Sequence, residues 1–238
     1  MHDRFSRANV PHTPPGVSCA GGRTGATVGG FIKKETRLTK TVDYYFTPQS
    51  PWTYLGHERF AQIARAADAQ VRVLPVDLGG KVFPVSGGLP VGQRAPQRQA
   101  YRLLELQRYS DYLRAPINVK PAYFPVSGDE SARLIIAVDL HDGSDAAMKI
   151  SGAVFSAVWV RERHIADEKV LAELLAECGL DPARLEQSHS QAVQERYEAN
   201  TQQAIDAGVF GAPSYVVDGE IFWGQDRLDF VERRLALG

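Results

Sequence analysis

The stretch Val42-Asp43-Tyr44-Tyr45-Phe46-Thr47-Pro48-Gln49-Ser50-Pro51-Trp52-Thr53-Tyr54-Leu55 runs from a short apolar strand, through a two-proline turn, into a helix. Ser50 is a favoured N-cap, and Pro51 fits the first helical position because the N–H it lacks would have had no partner there. Beyond it Trp52, Leu55, Gly56, Phe60, Ile63, Ala64 and Ala67 recur at helical spacing and make one apolar or small face. The Ser50 hydroxyl is thereby set at a helix N-terminus, where free N–H groups and the macrodipole favour negative charge. Taken alone, capping accounts for a Ser-Pro helix start. His57, two turns further along, is expected to be an ordinary solvated or packed side chain.

Working outward, Val71 to Asp77 alternates like a strand, and the βαβ order argues for parallel pairing with the first strand. A Gly/Pro-rich connection from Gly79 to about Pro96 is too long for a mere link and is of the kind that carries function. Helical segments are expected at Tyr101–Leu113, Glu130–Leu140, Ala146–Arg163, Glu168–Cys178, Pro182–His189 and Gln191–Ala207, with Pro116, Pro121 and Pro125 marking an extended stretch among them. Asp167 reads as an N-cap, Gly179 as a residue just past a helix end, and Asp181-Pro182 as a second cap and first position. Ser214–Val217 and Glu220–Trp223 then flank Asp218-Gly219, a strong hairpin signal, before a last helix from Asp226 to Leu235. The expected class is α/β: βαβ, an all-helical insertion at about 95–207, then ββα.

Composition excludes several functions. The apolar content of 44% and charged content of 23% are those of an ordinary globular chain, and no apolar run approaches the ~20 residues that span a bilayer. Seven basic residues against Asp3 and Glu35 give residues 1–40 a charge of +5, which leaves −6 for the remainder. Such a mildly acidic remainder, with no basic stripe, argues against nucleic-acid binding. The first forty residues are rich in Gly, Pro, Ser and Thr and are expected to be a disordered leader, with the folded region over 41–238. With no continuous apolar core in that leader, a secretory signal is not expected. An organellar transit peptide, a start assigned too far upstream and a dispensable tail stay open. Cys19 and Cys178 make no disulfide framework, so reduced cytoplasm is the default compartment. Cys178 falls on the apolar face Leu171, Leu174, Leu175 and reads as a small core residue. The six scattered histidines show no metal-ligand spacing.

A sharper reading comes from the two ends of the folded region. The layout is that of a thioredoxin-like fold interrupted by helices, and the front motif Tyr45 to Leu55, with the rear motif Gly208-Val209-Phe210-Gly211-Ala212-Pro213 through the hairpin to Trp223-Gly224-Gln225-Asp226-Arg227-Leu228, resembles the 2-hydroxychromene-2-carboxylate isomerases and their kappa-class glutathione transferase relatives. The resemblance covers about residues 41 to 236. It places Ser50-Pro51-Trp52-Thr53 where a Cys-Pro-x-Cys redox motif would sit, with hydroxyls replacing both sulfurs, so thiol–disulfide chemistry by the chain's own residues is absent there.

The resemblance implies glutathione as cofactor, with Ser50 catalytic, hydrogen-bonding and activating its thiol. It further implies that Ala212, before a cis Pro213, presents its backbone to the tripeptide, and that Trp223, Gly224, Gln225 and Asp226 grip it, Asp226 facing the ammonium. A bland role for Asp226, the N-cap of the last helix, stays open, as does a core role for Trp223. For the small aromatic, carboxylate-bearing substrate it implies contacts near Lys81, Gln93, Arg94 and Tyr101, with Arg98 close by and Tyr101 opening the adjoining helix. No metal, nucleic acid or membrane is implied, and a homodimer is compatible with it. In the family reaction the glutathione sulfur adds to a conjugated double bond, the new single bond rotates, and elimination returns glutathione. A kappa-like transferase and a non-catalytic glutathione-binding module are the competing readings. A serine hydrolase has no Gly-x-Ser-x-Gly elbow to support it.

Overall fold

The computed structural model describes residues 39–237; the reading of residues 1–40 as a disordered leader, and Cys19 with it, lies outside the described residues but for the last two. Strand β1 (Thr41–Phe46) leads through Ser50 into α1 (Pro51–Ala66), and the chain returns in β2 (Gln70–Pro75), parallel to β1. The hairpin strands β3 (Ser214–Val217) and β4 (Glu220–Trp223) complete a four-stranded sheet in the order β2-β1-β3-β4, antiparallel beyond β1. At the hairpin turn Asp218 and Gly219 both take positive φ, 51° and 80°, as a two-residue turn between right-twisted strands demands.

Central β1 is covered on both sides, and its side chains sort by the two-residue period of a strand. Val42, Tyr44 and Phe46 enter the main core with Phe60 and Ile63 of α1, while Tyr45 points to the opposite face with Leu74 and Val216. β2 lacks the alternation expected of it. Its first three residues are exposed or half-buried and Val73, Leu74 and Pro75 are buried, because only its C-terminal half is covered on both faces.

Between β2 and β3 the chain is helical almost from the outset. The Gly/Pro-rich connection expected as loop contains a π-helical turn at Leu78–Val82, the short α2 (Phe83–Ser86) and a 3₁₀ turn at Val91–Gln93. Helix α3 runs over Pro96–Leu113, starting five residues earlier than expected because Pro96 supplies a first position. Tyr101 therefore lies inside α3 rather than at its start. Then follow α4 (Asp129–Asp142), α5 (Ser144–Trp159), α6 (Glu168–Glu177), α7 (Ala183–Gln187) and α8 (Gln191–Asp206). Asp167 caps α6 through the Lys169 N–H, and Gly179 takes φ 66° just past its end. Asp181 accepts from the Ala183 N–H at 2.9 Å, so α7 starts one residue beyond the position assigned to Pro182.

These helices share the core of the sheet: Leu134 and Ile135 of α4 and Val154, Phe155 and Trp159 of α5 pack in the cluster that holds Tyr44 and Phe46. Cys178 sits buried beside Leu171, Leu174 and Leu175 in that cluster, and burial raises its thiol pKa. A 3₁₀ turn at Gln225–Arg227 precedes α9 (Leu228–Ala236), which corrects the expected helix start at Asp226. Among the described residues no helix is long and apolar enough to cross a membrane.

Candidate functional site

The turn between β1 and α1 is closed by the Ser50 N–H donating to the Thr47 carbonyl at 3.0 Å. Ser50 has the extended backbone of an N-cap, and its Oγ accepts from the Thr53 N–H at 3.2 Å. Its own proton is directed to the Ala212 carbonyl at 3.5 Å, the outer limit of a hydrogen bond. The hydroxyl is therefore fixed in place on one side and weakly committed on the other. Thr53, the fourth residue of the motif, is fully buried and its hydroxyl has no partner among the described residues.

Ala212 belongs to the corner that faces Ser50 across the sheet end. The Ala212–Pro213 bond is cis. Ser214 Oγ donates to the Gly211 carbonyl at 2.8 Å and the Gly224 N–H donates to the Pro213 carbonyl at 2.9 Å, so the corner is tied both to its own strand and to the exit of β4. The Ala212 N–H has no hydrogen-bond partner among the described residues. The Ser50 hydroxyl and the Ala212 backbone thus meet at the N-terminus of α1, where negative charge is favoured.

The segment after β4 lies against the same corner. Trp223 is half exposed and meets Phe210 edge-on at 4.7 Å, and a Cβ at Gly211 would collide with its indole. Trp223 is thus a surface ring held over the corner, not a core residue. Gln225 is buried, with its Cβ against Gly56 of α1. Asp226 is no helix cap: α9 begins two residues later, and the Asp226 carboxylate pairs with Arg227 Nη1 at 2.7 Å on the surface.

Behind the Ser50 turn is a buried polar pair that the sequence did not disclose. His57 Nε2 lies 3.0 Å from the Met148 carbonyl and must donate there, so Nδ1 accepts from the Tyr44 hydroxyl at 3.2 Å. Burial lowers the His57 pKa to about 4, so this neutral tautomer persists at ordinary pH. Tyr44 in turn stacks on Tyr215 with ring centroids 5.3 Å apart.

The residues expected to contact substrate lie on the two short turns after β2 and on α3. Lys81 and Gln93 are exposed on the short helical turns, and Tyr101 is 56% exposed on α3. Arg94 is half-buried, donating Nε to the Leu89 carbonyl at 2.9 Å. No hydrogen bond or ion pair joins these four to Ser50, Ala212 or Asp226 among the described residues. The residue of α3 that reaches the Ser50 side is Tyr109, edge-on to Trp52 at 5.8 Å. Burial, and after it the charge of Asp226, raises the Tyr109 phenol pKa, which links α3 to the turn after β4. Its signal in the sequence was the face Arg102, Leu106, Tyr109, Leu113 at helical spacing.

Residues 41–236 match the family model of the DSBA-like thioredoxin domain. The chain is 31% identical over 199 residues to a 2-hydroxychromene-2-carboxylate isomerase of Sphingobium xenophagum, spanning 83% of this chain and 99% of that protein. It is 22% identical over 204 residues to glutathione S-transferase kappa 1 of Caenorhabditis elegans, spanning 80% of this chain and 88% of that one. A solved 2-hydroxychromene-2-carboxylate isomerase superposes with a TM-score of 0.69 at 28% identity, covering 82% of this chain and 94% of the other. With the thioredoxin-like sheet, the helical insertion and both end motifs in place, the chain belongs to the 2-hydroxychromene-2-carboxylate isomerases of the DsbA-like thioredoxin family, and is an enzyme of the isomerase class.

Proposed function

We propose that the protein is a glutathione-dependent cis/trans isomerase of an aromatic-degradation intermediate, with 2-hydroxychromene-2-carboxylate as the first substrate to test. The observation that carries this reading is the Ser50 hydroxyl, held at the N-terminus of α1 and facing the Ala212–Pro213 corner with its proton weakly engaged. Bound glutathione would supply a sulfur nucleophile that adds to and then leaves a conjugated double bond. Ser50 would donate its proton to that sulfur, and the α1 N-terminus would add its field, both favouring the ionised thiol, whose pKa is otherwise ~8.5. The free Ala212 N–H would hold the tripeptide backbone, with Trp223, Gly224 and Gln225 forming its wall and Asp226 meeting its ammonium. Lys81, Gln93, Arg94 and Tyr101 are assigned to the substrate side, where basic groups would receive a carboxylate.

The kappa-class relative supports a second reading, in which glutathione stays attached to an electrophile. Titration calorimetry with glutathione, followed by chromatography of a reaction with 2-hydroxychromene-2-carboxylate, separates the two. Saturable binding and isomer formed with glutathione fully recovered is the expected result. A conjugate formed with stoichiometric loss of glutathione assigns the transferase, and no glutathione binding overturns both.

A further inference from the structure

Helix α3 is held to the rest of the fold along a narrow strip. Of its 18 residues only Leu106 and Ser110 are buried, one turn apart toward its C-terminal end. That end is tied down twice. Ser110 Oγ donates to the Ala115 carbonyl at 2.8 Å, and the Tyr54 hydroxyl of α1 donates to the Pro116 carbonyl at 2.5 Å. Tyr109 stands in this anchored turn, with its ring edge-on to Trp52 and the centroids 5.8 Å apart. Trp52 follows Ser50 by two residues, so the contact brings a side chain of the helical insertion against the first turn of α1.

The Tyr109 hydroxyl is not spent on the fold. Tyr54 and Tyr197 donate to a carbonyl and to the Asp129 carboxylate, whereas the half-buried Tyr109 hydroxyl has no hydrogen-bond partner among the described residues. Tyr101 and Tyr112 of the same helix are far more exposed, and water serves their phenols. The charges that face Tyr109 come from two elements. Burial first, then Asp226 of the turn after β4 and Glu105 of α3, raise its pKa; Arg227 of that turn lowers it, and Tyr101 adds a small upward push. The phenol therefore keeps its proton at neutral pH. It touches α1 beside the Ser50 cap and is within electrostatic reach of the Asp226–Arg227 pair, so it borders the same site as both.

We propose that Tyr109 is a further catalytic residue, whose hydroxyl donates a hydrogen bond to the ligand oxygen that gains negative charge when sulfur adds. This assignment rests on the isomerase reading given above. In that reading the glutathione sulfur bonds to one carbon of a double bond conjugated with a carbonyl, and the displaced π pair moves onto the carbonyl oxygen as an enolate. Tyr109 donates to that oxygen and keeps its proton. After rotation the pair returns, the C–S bond breaks, and its electrons leave with the sulfur. Ser50 thus serves the sulfur and Tyr109 the oxygen. A neutral donor suits this task, because it binds the charged oxygen of the intermediate more tightly than the neutral carbonyl of the substrate and so lowers the barrier.

Tyr109→Phe tests the assignment, since it keeps the ring against Trp52 and removes only the hydroxyl. Steady-state kinetics with 2-hydroxychromene-2-carboxylate at saturating glutathione should show kcat lower by about 10²-fold. Glutathione affinity by calorimetry and the circular-dichroism melt should stay as in wild type. Tyr109→Leu, which also removes the ring contact, should lose at least as much kcat and melt earlier. Wild-type kcat in Tyr109→Phe would overturn the proposal and leave the isomerase reading intact, as would a loss of kcat confined to Tyr109→Leu. A marked loss of glutathione affinity in Tyr109→Phe, with kcat kept, would give the hydroxyl to the tripeptide and overturn it as well. No turnover by the wild-type protein would overturn the isomerase reading and this assignment with it.

Discussion

The two sides of the candidate site are built in opposite ways. On the side of Ser50, every group is anchored to buried structure: Ser50 to α1 and the β1 turn, Ala212 and Pro213 to β3, Gly224 to the Pro213 carbonyl. On the α3 side, Lys81, Gln93 and Tyr101 sit exposed on short turns or an open helix face, and Arg94 has no salt bridge among the described residues. The first side costs little to keep in register because sheet hydrogen bonds and the aromatic core fix it. The second is carried by two short helical turns and by one face of the 18-residue α3. Under the proposed function, glutathione would meet the anchored half and the substrate the exposed one.

The strongest test of that contrast is Ser50→Ala. Loss of a cap alone removes about 1 kcal/mol of stability and leaves chemistry intact once the protein is folded. Thiol activation instead predicts a fall in turnover of about 10²-fold or more, with glutathione affinity changing far less. Steady-state kinetics on folded variant decide between them, and wild-type turnover would reduce Ser50 to a cap.

The rigid half also has an acid limit. The His57 pKa is depressed to about 4 in the fold, against an unfolded value near 6.5, so the unfolded chain binds the extra proton first. Its contribution to stability is therefore complete above pH 6.5 and is lost as pH falls toward 4, by up to roughly 3 kcal/mol. Melting curves from pH 7 to 4 should show this loss, and His57→Gln should flatten it.

Smaller in effect is Gly56→Ala. The added Cβ would meet Gln225 Cβ at 2.7 Å and the Tyr215 hydroxyl at 3.1 Å, neither on a flexible side-chain end. Overpacking of this kind costs about 1–3 kcal/mol. Because it pushes on the Gln225 turn, glutathione affinity should fall together with the melting temperature. Asp226→Asn is expected to weaken glutathione binding by only about 1 kcal/mol, since the carboxylate is partly exposed and already paired with Arg227. Calorimetric affinities for wild type and variant measure it, and no change would remove Asp226 from the site.

The sequence by itself determined whatever depends on neighbours along the chain. The strand–turn–helix order of β1 and α1, the Ser50 and Asp167 caps, the Asp218-Gly219 turn with both flanking strands, and the helical register of α1 are local steric and hydrogen-bonding preferences, and each was legible from a few residues. The rear motif carried the resemblance for the same reason, since its spacing is held by one hairpin. Tertiary structure alone decided which distant side chains meet. His57 looked like any helical histidine until Tyr44 and the Met148 carbonyl closed on its two nitrogens, and Asp226 looked like a cap until α9 began beyond it. Those pairings span tens of residues and depend on how α3, α5 and their connections dock on the sheet, a matter of packed volume that no local period encodes.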